Sequence, residues 1–315
     1  MKKIFLNGFL GYKNFGDDLL FDQALKFLPF SKKDLYYLAG KKGRYLQETY
    51  LIKRFSRYNF LKLLLFIQKG DVLINLGGIF QDITSLKSFL YYFMINFIFI
   101  IKGGILVSLS IDGSDLSSGI AIFLGQYIIK KSFLVVFREK SNLFKEAGHI
   151  YSASDLAFLM KAKRSKIKKK YTVIILKPCT ILRNIIDFYK KIKDTLLIIM
   201  PEDKIYFKAY LCKNFWIYNG CKDDLIQRVR SARFVVSMRY HPAVVALKHR
   251  IPVILIGKEK KIINLANEFN IPFIRDDDKK VIDKLKSLSY IKNYKIKANT
   301  KVWIKVHNEL KRLLK

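Results

Sequence analysis

Apolar positions along the chain fall into short, β-branched runs separated by longer polar or amphipathic stretches, the alternation expected of an α/β protein. The opening Met-Lys-Lys-Ile-Phe-Leu-Asn-Gly stops at a glycine where a first strand should stop, and Leu19, Leu20, Gln23, Ala24 and Phe27 then follow a helical period. Further strands are predicted from Asp71 to Leu76, Ile105 to Leu109 and Phe133 to Phe137. After the run Lys161 to Lys170, which has no apolar face, a second series begins: Thr172 to Leu176, Leu196 to Met200, Phe215 to Tyr218, Phe234 to Ser237, Val253 to Ile256 and Pro272 to Ile274, with helices between. Runs that are apolar throughout suit parallel strands buried on both faces. Residues 41–57 read as polar helix and loop, a helix is expected near Ser141, and the tail from Val281 to Lys315 reads as helical and basic. The expected division is residues 1–160 as one Rossmann-like domain, residues 161–170 as an exposed basic linker, and residues 171–315 as a second such domain with a helical tail.

With 315 residues and 51% hydrophobic content, two cores are affordable in size. Cys179, Cys212 and Cys221 have neither metal-ligand spacing nor an even count, which implies a reducing compartment and no metal site. The first apolar run is too short for a secretory signal. The uncharged, aromatic stretch from Ser88 to Ile101 is shorter than the ~20 residues of a membrane span and reads as a buried or interfacial helix. A formal charge of +34, spread in singles and pairs of lysine, attracts polyanions of any kind without choosing among them. AT-rich codon usage is a second source of lysine.

Candidate chemistry gathers where strands end. Pro242 suits a first helical turn after the strand ending at Ser237, so Arg239 and His241 fall on the turn between, next to a helix N-terminus that attracts anions. The strand Val253 to Ile256 delivers Gly257, Lys258, Lys260 and Lys261 to the same edge, and Lys177 ends the first strand of that domain. Earlier, Gly8, Gly11 and Gly16 punctuate a loop that lacks the dinucleotide spacing, followed by Asp17 and Asp18, either of which can cap a helix. Gly77 and Gly78 allow close approach of a ligand or backbone. Arg138 stands at a strand end, suited to bidentate carboxylate or phosphate binding or to a surface ion pair with Glu139.

The order of these segments resembles the polysaccharide pyruvyl transferase family. The opening Gly-Tyr-Tyr-Gly-x-x-Asn-x-Gly-Asp-Glu of that family is matched by Gly8, Gly11, Asn14, Gly16 and Asp17, with Asp18 for the glutamate. Its Gly-Gly-Gly followed by Gln-Asp-x-Thr-Ser is matched by Gly77, Gly78, Gln81, Asp82, Thr84 and Ser85, with Leu76 for the first glycine. Arg138 matches its Val-Arg-Asp-Glu-x-Ser, and Ser154 to Phe158 its Asp-Pro-Ala-Phe, with Leu156 for proline. Arg239, His241 and, without a gap, Lys261 match the C-terminal signature, whereas Ser110 to Ser114 departs from the family's glycine-rich turn.

That resemblance implies two Rossmann-like α/β domains facing across a cleft, the GT-B arrangement, and transfer of a pyruvyl group from phosphoenolpyruvate to hydroxyls of a sugar in a cell-surface polysaccharide or its lipid-linked precursor, as a ketal. It implies Asp17 as general base, His241 as acid or as the group that steadies the leaving phosphate, and Arg138, Arg239 and Lys261, with Lys177 as a weaker candidate, as anion ligands. Asn14, Gly77, Gly78, Gln81, Asp82, Thr84 and Ser85 complete the substrate-binding set. No cofactor is expected, and the protein is expected in the cytoplasm, peripheral at an anionic membrane surface. A nucleotide-sugar glycosyltransferase of the same build, with Glu259 as ribose ligand, and a basic nucleic-acid-binding protein are the alternatives. The latter lacks a basic, aromatic-studded face or a reading module, so no specific nucleic acid is expected.

Overall fold

The structure is a computed structural model and describes residues 2–82, 85–112, 116–139, 144, 147–162, 171–179, 182–192, 194–207, 214–278, 280–287 and 298–314. It divides into two compact units. The first comprises Met1–Tyr12, Leu20–Leu156 and Asn299–Lys315, the second Lys13–Leu19 and Ala157–Ala298.

The first unit holds strands β1 (Ile4–Asn7), β2 (Leu35–Ala39), β3 (Lys53–Ser56), β4 (Val72–Leu76), β5 (Ile105–Ile111), β6 (Leu134–Phe137) and β7 (Ile150–Ser152). Helices α1 (Phe15–Phe27), α2 (Arg44–Tyr50), α3 (Phe60–Phe66), α4 (Leu86–Ile101) and α5 (Gly119–Lys131) connect them. All pairings are parallel, in the order β3-β2-β1-β4-β5-β6-β7. Every residue of β4 is buried, which explains its unbroken apolar character and leaves one polar group to satisfy, Asn75. Asn7, its register partner in β1, donates to Asn75 at 2.8 Å; Asn75 donates to Asn96 of α4 at 2.7 Å, and Asn96 to the Tyr92 carbonyl at 2.8 Å. This amide chain ties the centre of the sheet to α4 and meets the rule that buried polar groups are paired.

The second unit holds β8 (Tyr171–Ile175), β9 (Thr195–Ile199), β10 (Phe215–Ile217), β11 (Ala232–Ser237), β12 (Val253–Ile256) and β13 (Phe273–Ile274). Helices α6 (Leu182–Lys190), α7 (Lys204–Phe207), α8 (Lys222–Arg230), α9 (Tyr240–Lys248), α10 (Lys260–Phe269) and α11 (Val281–Ser287) belong to it. Its order is β10-β9-β8-β11-β12-β13, again all parallel. In each sheet the winding direction reverses beside the first strand, and open α/β sheets bind ligands at the carboxyl edge of such a reversal.

Three expectations are corrected. The stretch read as polar helix and loop contains β3, an edge strand whose Lys53 is exposed, so its polarity belongs to a sheet margin. The final helix α12 (Lys301–Leu314) groups with the first unit, because its Trp303, 1% exposed, packs on Phe27 and donates its indole N–H to the Ser154 carbonyl at 2.9 Å. Residues 13–19, the start of α1, group with the second. The linker 163–170 and the helix start near Ser141 lie outside the described residues. Among the described residues no helix is long and apolar enough to cross a membrane.

Replacing Trp303 by Ala removes both the ring and its hydrogen bond from a closed site and should destabilise the first unit by about 3–5 kcal/mol. Urea unfolding followed by circular dichroism measures this; a loss within about 0.5 kcal/mol, the ordinary scale of surface substitutions, would show that α12 is not anchored there.

Candidate active site

In the second unit, β8, β11, β12 and β13 end on one edge, which carries Lys177, Arg239, the segment Gly257 to Lys261, and Asp276 with Asp277. The chain leaves β11 through a tight turn fixed by Ser237, whose hydroxyl donates to the Arg239 carbonyl at 2.7 Å and accepts from the Arg239 N–H at 3.1 Å. Arg239 is the N-cap residue of α9, and His241 sits in its first turn rather than on the connecting turn; Pro242 is accommodated there as well. The helix is held by its buried face, in which Ala243, Val244, Val245, Ala246 and Leu247 are inaccessible.

Three cations of this edge, Arg239, Lys177 and Lys261, face carboxylates. The Arg239 guanidinium pairs with Asp203 and, at 3.1 Å, with Glu202, both on the turn after β9. Lys177 pairs with Glu259, which also meets Lys261 at 3.2 Å. Burial pulls the Lys177 ammonium below its ordinary value against the opposing pull of Glu259, and burial pushes the Asp203 carboxyl up against Arg239. Burial also pushes Glu259 upward, but Lys261 and Lys177 outweigh it and the carboxyl lies below its usual range. Beside these pairs is a cavity of about 280 Å³ lined by Lys177, Cys179, Met238, Lys258, Glu259 and Asp277, among others.

The second unit also contains the start of α1. There the His241 imidazole lies against the Cα of Gly16, in the space where a side chain at position 16 would project. Asn14 accepts from the Gly16 N–H at 3.0 Å and thereby caps the helix, which begins at Phe15 and not at Asp18 as the capping alternative required. Asp17 is consequently the third helical residue, partly exposed, one position from the imidazole contact. Asp18 is buried and accepts from the Tyr218 hydroxyl at 3.1 Å, while the Phe15 ring meets Tyr218 edge-on. Asn14, Asp17, Arg239, His241, Lys177 and Lys261 thus all fall in one unit.

The remaining expected residues lie in the first unit, where they build loops. Asp82 accepts from the Ser117 and Ser118 N–H groups at 2.9 and 2.7 Å, and from the Ser117 hydroxyl at 3.0 Å; although its partial burial acts upward, these bonds hold its carboxyl below the ordinary value. Ser85 caps α4, Gln81 folds over Gly78, and Gly77 takes a left-handed φ of 70°. Arg138 is 6% exposed and sits between Asp112 and Asp155, the latter at 3.5 Å, so it is not at the surface. Thr84 lies outside the described residues. Sequence reading missed Glu202 and Asp203, although an acidic pair directly after a buried strand, on the rim that receives Arg239, was a readable signal. It also missed the cluster in which Arg57 is surrounded by Tyr12, Tyr58, Tyr91 and Tyr92. Among the described residues no group of three His, Cys, Asp or Glu side chains is placed to hold a metal ion.

Two doubly wound parallel sheets in one chain define a protein of the GT-B class, and solved structures agree. The UDP-GlcNAc 2-epimerase of Methanocaldococcus jannaschii, solved with UDP-GlcNAc and UDP, matches with a TM-score of 0.67 at 13% identity, over 99% of this chain and 100% of that one. MnaA of S. aureus, solved with UDP, matches with a TM-score of 0.66 at 13% identity over 92% and 88%. MurG of Acinetobacter baumannii gives a TM-score of 0.54 at 8% identity over 99% and 100%. Residues 14–259 match the polysaccharide pyruvyl transferase family, and the chain belongs to that family. No curated protein matches it in sequence.

Because a Cβ at position 16 would overlap the imidazole, Gly16→Ala must displace either His241 or the start of α1. The expected cost is about 1–3 kcal/mol, the range for overpacking a closed contact. Chemical denaturation of the variant tests this, and unchanged stability would mean that the imidazole does not rest there.

Proposed function

We propose that the chain transfers the pyruvyl group of phosphoenolpyruvate to two hydroxyls of a sugar in a polysaccharide or its lipid-linked precursor, forming a ketal and releasing phosphate. Membership of the pyruvyl transferase family supports the reaction class. The observation that carries the residue assignment is the His241 imidazole packed on Gly16, next to Asp17. It supports reading Asp17 and His241 as an acid–base pair, since both then belong to neighbouring helix starts.

In this reading the donor's carboxylate and phosphate bind at the cavity lined by Lys177 and Lys258, with the charges of Arg239 and Lys261 close enough to act on Lys177. A proton added to the methylene carbon turns it into a methyl group and leaves the adjacent carbon electron-poor. Asp17 takes the proton of the first attacking hydroxyl, whose oxygen bonds that carbon. A second hydroxyl then displaces the phosphate, and its proton leaves with phosphate or solvent. His241 serves the donor, as the acid that protonates the methylene or as the anchor of the departing phosphate.

The nucleotide-sugar reading is favoured by one feature, the presence of Glu259 in the cavity wall, where a carboxylate can accept from ribose hydroxyls. Its existing partners, Lys177 and Lys261, argue for the other reading, since they make Glu259 the counter-ion that an anionic donor displaces.

Asp17→Asn should keep phosphoenolpyruvate binding and lose about 10²–10⁴ in turnover, because the amide matches the shape and cannot take the proton. Calorimetry with phosphoenolpyruvate and phosphate release with a saccharide acceptor measure the two effects, and wild-type turnover in the variant removes Asp17 as base. His241→Ala should harm turnover together with donor binding or phosphate release. Glu259→Gln separates the two readings: it frees two lysines, so the thermal shift with phosphoenolpyruvate should persist or grow. A shift with UDP-sugars alone, abolished by the same substitution, would establish the ribose ligand instead.

A further inference from the structure

We propose that the outer face of α3, α4 and α5 docks on an anionic lipid bilayer. The three helices lie side by side on one face of the first unit's sheet, α4 packed against both neighbours. Their inward positions, such as Leu63, Phe89, Ile95, Phe99 and Ile128, are buried in the core beneath. A helix so placed in a water-soluble protein turns a polar stripe outward. These do not. Leu61 and Leu65 of α3 are 69% and 75% exposed, Leu90 and Met94 of α4 are 37% and 44% exposed, and Ile120 and Phe123 of α5 are 61% and 69% exposed. Single exposed apolar side chains are ordinary, but a set on three adjacent helices marks an interaction surface.

Charge selects the occupant. None of the three helices contains Asp or Glu, and their charged residues are Lys62, Lys87, Lys130 and Lys131. Lys69 and Lys102 follow the ends of α3 and α4, near enough that the Lys69 side chain borders Gly103. An apolar face with basic residues around it suits acyl chains below and anionic headgroups beside it. A second copy of the chain fits less well, because each carries a formal charge of +34 and would bring lysines against lysines. The 16 residues of α4 extend about 24 Å, short of the ~30 Å hydrocarbon core, so the helix lies along the interface and does not cross it.

The test is co-sedimentation of the full chain with vesicles of phosphatidylcholine alone and of phosphatidylcholine with phosphatidylglycerol. Binding is expected on the anionic vesicles and should weaken between 0.1 M and 1 M salt, as the Debye length falls from about 10 Å to about 3 Å. The double variant Leu65→Ser, Phe123→Ser leaves the net charge unchanged and should weaken that binding at least about tenfold through lost apolar insertion. Ile304→Ser, at an exposed position of α12, is the control and should bind as the parent does. Melting curves ensure that the variants are folded; a second pair, Leu61→Ser with Ile120→Ser, replaces the first if it is not. Undiminished binding by the serine variants would reduce the attraction to general charge and overturn the proposal. So would equal binding to neutral vesicles, or a concentration-dependent dimer abolished by the same substitutions in a chain that ignores vesicles.

Discussion

The contact on which the rest of the site depends is the His241 ring lying on the bare Cα of Gly16. A side chain at position 16 would hold the start of α1 away from α9, and the two helix starts that carry Asp17 and His241 would separate. Several other features follow from it. Asn14 must cap α1 early so that Gly16 lies in the first turn. Asp18, one residue beyond Asp17, points into the unit and is tethered by Tyr218, which fixes the rotation of the helix and leaves Asp17 partly exposed. On the opposite side, Ser237 clamps both backbone groups of Arg239, which aims α9. Neither motif explains its own glycine, histidine or asparagine; the contact between them does.

The charge on the chain says less about this edge than its size suggests. Arg239, Lys177 and Lys261 are each answered by a carboxylate, and the physical reason is local repulsion. Two like charges 4 Å apart cost about 4 kcal/mol at an effective dielectric constant of 20, so gathering cations without counter-ions would destabilise the strand ends that carry them. Glu259, Glu202 and Asp203 remove that cost. An anion entering the cavity must then out-compete carboxylates already in place.

Most of the architecture was legible because parallel strands buried on both faces produce apolar runs that few other elements imitate. The strands at Thr172, Leu196, Val253 and Pro272 were expected within about a residue of where β8, β9, β12 and β13 lie. The first unit's β2, β3 and β7 were the exceptions, and β3 carries Lys53 and Arg54 at the sheet margin, so its pattern is that of a polar loop. The grouping of α12 with the first unit was illegible for a different reason. Nothing local reveals that Trp303 finds its partners at Phe27 and Ser154, far back along the chain. Within the site, residue types at strand ends could be read, whereas pairing could not, so Arg138 looked available when it is enclosed by Asp112 and Asp155.

Arg138 also shows how the two units divide their labour. Its partners follow β5 and β7, and Arg138 itself follows β6, so one guanidinium joins three strand ends of the first sheet. Ser110, with a left-handed φ of 56°, accepts from the Leu156 N–H at 3.0 Å and closes the same corner. Removing one partner from such a buried arrangement typically costs about 3–5 kcal/mol, since a charge is left without compensation. A loss of activity on substituting Arg138 would therefore report collapse of this corner before it reported anything about substrate. The same reasoning covers Asp82, whose carboxylate holds the Ser117 and Ser118 N–H groups just before α5. The first unit's motif residues hold loops in shape, while the second unit carries Asp17, His241 and the paired cations Arg239, Lys177 and Lys261, so substitutions in the first set are to be read by stability before anything else.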